Sequence, residues 1–164
     1  MQPAVPGEEG ELVLTTIIKE GFPLIRYRTG DVSTLIDEHC ACGRTLRRIK
    51  KIIGRTDDLI FINEQKIFPS QIEKILAESE GLEPIYEIHL KRENNVDSME
   101  IKAEINEAIP FLDELKTLEK LKTDTEKKIL SSLGIDARLT LAEPKSLSQK
   151  PGQKAKRVFD NREK

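Results

Sequence analysis

The protein has 164 residues and a formal net charge of −2; 37% of the residues are hydrophobic, 34% are charged, and there is no Trp. That length and balance fit a soluble, globular chain of one ordinary domain or two small ones. They exclude an argument from bulk charge for nucleic acid or an anionic membrane as a partner, and the scarcity of aromatics disfavours a large aromatic-walled pocket.

No apolar run approaches the ~20 residues needed to span a bilayer. The opening MQPAVPGEEGE has neither the basic start nor the apolar core of a signal peptide. A cytosolic setting with no membrane partner is the expectation. Cys40 and Cys42 are separated by one residue. Such close neighbours rarely pair, so no disulfide framework is implied. Charge is uneven along the chain. RTLRRIKK (44–51) carries five positive charges and no acid, and residues 145–164 carry seven positive charges against two negative, so two cationic segments bracket a more acidic middle and invite an anionic ligand.

In chain order, GELVLTTII (10–18) alternates weakly, is rich in β-branched residues and reads as a strand. GFPL (21–24) is a turn. IRYRTGDVSTLI (25–36) resumes extended structure with an interruption at Thr29-Gly30-Asp31; DEHCACGR (37–44) is a tight loop, and LRRIKKIIG (46–54) is a further strand. Residues 10–54 are therefore a short β-meander with too few strands to close a core, and are expected to belong to a larger β structure.

Past Gly54-Arg55 the pattern changes. LIFI (59–62) and KIF (66–68) form a hairpin around Asn63-Glu64-Gln65. Ser70 followed by Glu73 has capping-box spacing and predicts a helix from Ser70 to about Ser79. PIYEIHLKR (84–92) and SMEIKAEI (98–105) are strands joined at Asn94-Asn95. Residues 111–132 are a long amphipathic helix with Leu118, Leu121, Thr125 and Ile129 on one face, closed by Gly134. DARLTLAE (136–143) is a last strand. The order β-hairpin, α, β, β, α, β predicts an α+β, ferredoxin-like layout with an antiparallel sheet and helices on one side. Residues 144–164 hold too little apolar material to predict an element and read as a flexible basic tail.

Three polar clusters carry chemistry. In Arg28-Thr29-Gly30-Asp31 the Asp either satisfies the amides of a turn or accepts hydrogen bonds from a diol such as ribose. In Gly54-Arg55-Thr56-Asp57-Asp58 the charges are either a solvated surface pair or a hinge where the chain changes structural unit. The tail lysines are either simply solvated or include one that neutralises charge on phosphate oxygens in a closed site. A nucleic-acid role for RTLRRIKK and the tail lacks both a motif and net positive charge.

Together and in this order, GELVLTT, PLIRYRTGD, C-x-CGRT, GRTDDLI, IFPSQIE and KAKRVFDNR resemble the adenylate-forming (acyl-CoA synthetase) superfamily, in particular its phenylacetate-CoA ligase and coenzyme F390 synthetase-like group. The resemblance runs from about Gly10 to Arg162. It implies that Asp31 holds the ATP ribose hydroxyls, that Arg55 also contacts the nucleotide, and that Asp57 is the hinge between a large N-terminal domain and a small mobile one. It also implies that Lys154 reaches the substrate carboxylate and the α-phosphate. The implied organisation is 1–54 as the last β segment of the adenylation domain, 55–143 as the ferredoxin-like lid, and 144–164 as the tail that carries Lys154. The implied chemistry joins a small carboxylic acid, aromatic or otherwise, to coenzyme A with ATP and Mg2+, by way of an acyl-adenylate.

The resemblance also implies that the phosphate-binding loop, acyl pocket and magnesium ligands lie in an N-terminal adenylation domain that this sequence lacks. The isolated chain is then expected to be inactive, with a raw apolar surface that a homodimer could cover. The alternative is a stand-alone, non-catalytic ferredoxin-like or ACT-like binding module derived from the lid. Two departures stand out. Asn63-Glu64-Gln65-Lys66 replaces Arg-Gly-x-Asn, so Glu64 stands where the family has a glycine, and the glycine near Lys154 is displaced by one position. Finally, Cys40 and Cys42, with His39 beside them, are either half of a zinc site or two reduced cysteines in a tight loop that turns at Gly43.

Overall fold

The structure is a computed structural model and describes residues 2–106, 115–147 and 156–162. The chain divides into two compact units, Met1–Leu59 and Ile60–Lys164.

In the first unit, β1 (Glu9–Leu14) pairs antiparallel with β2 (Tyr27–Ile36). The short strands β3 (Arg48–Ile49) and β4 (Gly54–Arg55) both pair with β2 on its other side. The single strand expected over 46–54 is thus two short pieces. The linking residues still follow β2, with Lys50 N–H donating to Thr34 O at 2.9 Å and Ile53 N–H to Val32 O at 2.9 Å. The predicted interruption at Gly30 is a kink inside β2 rather than its end; Gly30 has φ +78°. Among the described residues Val32 is the one buried hydrophobic of this unit, flanked by buried Ser33 and Thr34. A unit so poor in apolar burial cannot be stable through its own core.

The second unit holds the core. The hairpin of β5 (Ile60–Ile62) and β6 (Gln65–Ile67) turns at Asn63 and Glu64, whose φ angles are +45° and +65°. Two successive positive φ values match the right-handed twist of the strands, and they strain any residue with a Cβ. Helix α1 (Pro69–Ala77) follows. Its cap is Phe68, not the predicted Ser70: Pro69 takes the first helical position, where its missing N–H costs nothing. Phe68 N–H donates to Gln71 Oε1 at 2.8 Å, and Gln71 N–H donates back to Phe68 O at 2.9 Å. Glu73, the expected capping partner, receives Arg157 instead.

Strands β7 (Leu82–Glu93) and β8 (Val96–Ile105) form an antiparallel hairpin at Asn94-Asn95, both with positive φ. Helix α2 (Leu115–Leu133) buries Thr125 and Ile129 and ends at Gly134, φ +69°, whose N–H donates to Leu130 O at 2.9 Å. Residues 111–114 of the predicted helix lie outside the described residues. Strand β9 (Ala137–Ala142) then pairs parallel with β8. The α+β layout is as expected, but the sheet, ordered β10-β7-β8-β9, is mixed rather than antiparallel. A strand–helix–strand crossover returns parallel, and β10 (Val158–Asp160) pairs parallel with β7. Composition predicts no element there. The strand forms because partner groups on β7 and a charged anchor hold it. Ile72, Leu76, Ile88, Ile101, Ile129 and Leu139 are fully enclosed in one core between the helices and a single sheet face. Among the described residues no helix is long and apolar enough to cross a membrane.

Candidate functional site

The Tyr-Arg-Thr-Gly-Asp run lies on β2, where register pairs Asp31 directly with Arg55 of β4. Gly30 makes this pairing close. A Cβ on Gly30 would stand 2.9 Å from Arg55 Nη2, so a side chain there would push the guanidinium away from the strand. Arg55 donates through Nη1 to Thr29 O at 3.1 Å and Asp31 Oδ1 at 3.3 Å. Through Nε and Nη2 it grips both oxygens of Asp57, at 2.9 and 3.1 Å. Asp57 stands in a 3₁₀ turn, Thr56–Asp58, which ends one residue before the boundary between the units. Its hydrogen bond holds the Arg55 pKa above the ordinary guanidinium range. The structure therefore brings Asp31, Arg55 and Asp57 into one hydrogen-bonded cluster.

Glu11 of β1 completes the arrangement, and sequence reasoning missed it. Its carboxylate accepts both Arg28 Nε, at 2.9–3.0 Å, and Arg28 Nη2. It also accepts Gly30 N–H at 3.2 Å. The Arg28 hydrogen bond lowers the Glu11 pKa. Glu11 and Arg28 are far apart in sequence, and only the β1–β2 register makes them neighbours. The result is a glycine kink clamped from both sides by a carboxylate and a guanidinium, with the partly exposed Asp31 at its edge. Such an acceptor beside a fixed cation suits a ligand that offers both hydroxyls and negative charge.

Cys40 and Cys42 occupy the turn after β2, closed by Gly43 N–H donating to Cys40 O at 2.9 Å. Both are free thiols. Among the described residues no group of three or more His, Cys, Asp or Glu side chains is placed to hold a metal ion, so neither zinc nor magnesium is given a residue set.

Lys154 lies outside the described residues. The chain on either side of it is anchored to the second unit. Before it, the buried Glu104 carboxylate accepts Lys145 N–H at 3.1 Å and Leu147 N–H at 2.7 Å. After it, Arg157 bonds Glu73, packs over the Tyr86 ring, and passes its carbonyl to Ile88 N–H at 2.7 Å. Burial pushes the Tyr86 phenol up to about 12, and its hydroxyl donates to Pro69 O at 2.9 Å. Arg162 bonds Asp160, Asp97 at 2.9 Å and Phe61 O at 2.7 Å. Apart from Arg162 with Asp160, two residues away, these anchors join residues distant in sequence, so their partners could not be read from the sequence.

Residues 65–162 match the family described as AMP-binding enzyme C-terminal domain. Among curated proteins, the phenylacetate-coenzyme A ligase of Thermus thermophilus is 36% identical over 98% of this chain, which covers 39% of that protein. Among solved structures, 2-hydroxyisobutyryl-CoA ligase in the postadenylation state with R3-HIB-AMP is 29% identical, with a TM-score of 0.84 over 96% of this chain and 33% of that one. A domain of phenylacetate-coenzyme A ligase from Bacteroides vulgatus is 27% identical, with a TM-score of 0.57 over 65% of this chain and 95% of that one. The chain spans about two fifths of the Thermus relative's length. With the match covering more than half of its residues, the chain belongs to the AMP-binding enzyme C-terminal domain family.

Proposed function

We propose that this chain works as the C-terminal part of an AMP-forming acid–thiol ligase, one that joins a small carboxylic acid to coenzyme A through an acyl-adenylate. In this reading Asp31 accepts the ribose hydroxyls of the nucleotide and Arg55 supplies a fixed positive charge beside it. Asp57 is the pivot between two half-reactions, and the nearby boundary between compact units supports that role. Lys154 brings a cation to the carboxylate and α-phosphate. Both are anionic, and their approach needs compensating charge. Coenzyme A supplies the thiol acceptor. No described residue is assigned to magnesium or zinc.

One observation carries the reading. Among the described residues, the unit bearing Asp31 and Arg55 leaves Ile17 95%, Ile18 90%, Phe22 79% and Ile25 75% exposed while burying a single large apolar side chain, Val32. A free-standing module would not keep such a surface. A nucleotide-binding lobe of the size by which the relatives exceed this chain would cover it. That surface favours a ligase part over the stand-alone, non-catalytic module.

The test supplies such a lobe and follows AMP-ester production. Lys154→Ala is expected to lower it about 10²–10³-fold, and the chain alone is expected to give no ATP–pyrophosphate exchange. Undiminished AMP-ester production in Lys154→Ala, or exchange by the chain alone, overturns the proposal.

A further inference from the structure

The turn after β2 brings two thiols closer than either a structural role or a metal requires. Cys40 Sγ and Cys42 Sγ lie 2.8 Å apart. Two thiolates on a tetrahedral zinc at its usual bond length stand about 3.7 Å apart, and the bonded sulfurs of a disulfide about 2 Å apart. The observed separation is nearer the disulfide, and no third ligand is placed beside the pair among the described residues. The turn keeps the two residues side by side. Its Gly43 to Cys40 hydrogen bond sets the two cysteines at its first and third positions, and Gly43 with φ +77° carries the chain away.

Two more features suit exchange chemistry. Cys42 is exposed and Cys40 partly so, which gives a small reagent access. Arg48 reaches across the loop and donates through Nη2 to Glu38 O at 2.8 Å, so a guanidinium is fixed near the thiols. The hydrogen bond from Cys42, with a smaller contribution from Arg48, lowers the Cys40 pKa and raises its thiolate fraction.

We infer that Cys40 and Cys42 form a reversible, exchange-active dithiol that small-molecule disulfides oxidise to an intramolecular disulfide. The Cys40 thiolate attacks one sulfur of the reagent and expels one thiolate, which leaves a mixed disulfide on Cys40. The Cys42 thiolate then attacks Cys40 Sγ and expels the second. The two cysteines lose two electrons, the reagent gains them, and the two cysteine protons end on the two released thiols. A disulfide closing so short a loop is strained and easily reduced, so it is built for exchange rather than for stability. This inference does not depend on the proposed ligase role.

The experiment titrates the reduced full chain with oxidised glutathione, quenches in acid, treats with N-ethylmaleimide and reads the intact mass. The expected product is monomeric, lighter by two hydrogen atoms, carries no glutathione, has lost both maleimide-reactive thiols, and returns to the dithiol with reduced glutathione. Cys42→Ser should stop at one glutathione on Cys40. Because both residues lie in an exposed turn, this variant should keep the wild-type circular dichroism. Four outcomes overturn the inference: a wild-type chain that retains glutathione, disulfide-linked dimers as the main product, no oxidation at all, or a zinc ion that shields both thiols from the reagent.

Discussion

Gly30 sets the geometry of the edge where Asp31 meets Arg55, because a side chain there would meet Arg55. Gly30→Ala also forces a non-glycine residue to φ +78°. It is expected to cost about 1–2 kcal/mol, seen as faster amide exchange along β2, with Arg55 displaced. Asp97 gives a pH prediction. Hydrogen bonds from Arg92 and then Arg162 lower its pKa from 3.8 to about 2. Its contribution to stability is therefore fully present above pH 3.8 and lost as pH falls towards about 2. The melting-temperature gap between wild type and Asp97→Asn should be widest near neutral pH and close in that acid window. The sequence showed Asp31, Arg55 and Asp57 as candidates because they sit in short local motifs. Glu11, Glu104 and Arg162 act across long separations and could be found only after pairing was known.

Among the elements, β10 is the one that composition did not predict. Its three residues bury little; it persists because Ile88 N–H and Asn161 N–H bond across to and from β7, and because Arg162 ties it to β5 and Asp97. Arg162→Ala is expected to remove about 2 kcal/mol from charge-assisted bonding. Amide exchange at Phe159 and Asn161 should speed up first, while α2 keeps its protection. The elements with strong periodicity were legible: α2 through Leu118, Leu121, Thr125 and Ile129, and the β7–β8 hairpin through Asn94-Asn95. The start of α1 was misread because Ser70-x-x-Glu73 fits a capping box. The chain instead uses Pro69 and Gln71, and spends Glu73 on a distant arginine.

At the scale of the whole molecule, the two units differ in how they hold together. The second encloses a continuous core, whereas the first has a network of ion pairs and an uncovered apolar surface. Without a covering lobe the chain is expected to self-associate. Replacing Ile17 and Phe22 by Ser should raise the monomer fraction in sedimentation at micromolar concentration and leave the core of residues 60–164 intact. The meander and the α+β layout of the second unit could be read from the sequence. That the first unit lacks a core could be read only as a shortage of strands, since exposure depends on which faces meet.

The pairing of β10 with β7 has a consequence for biosynthesis. Strand β7 leaves the ribosome some seventy residues before its parallel neighbour, by subtraction of Ile88 from Val158. Until then one flank of the nascent sheet offers unsatisfied amides and carbonyls to any passing extended peptide. Translation that stalls late, within a few codons of Val158, would release a product with a finished interior and an adhesive margin.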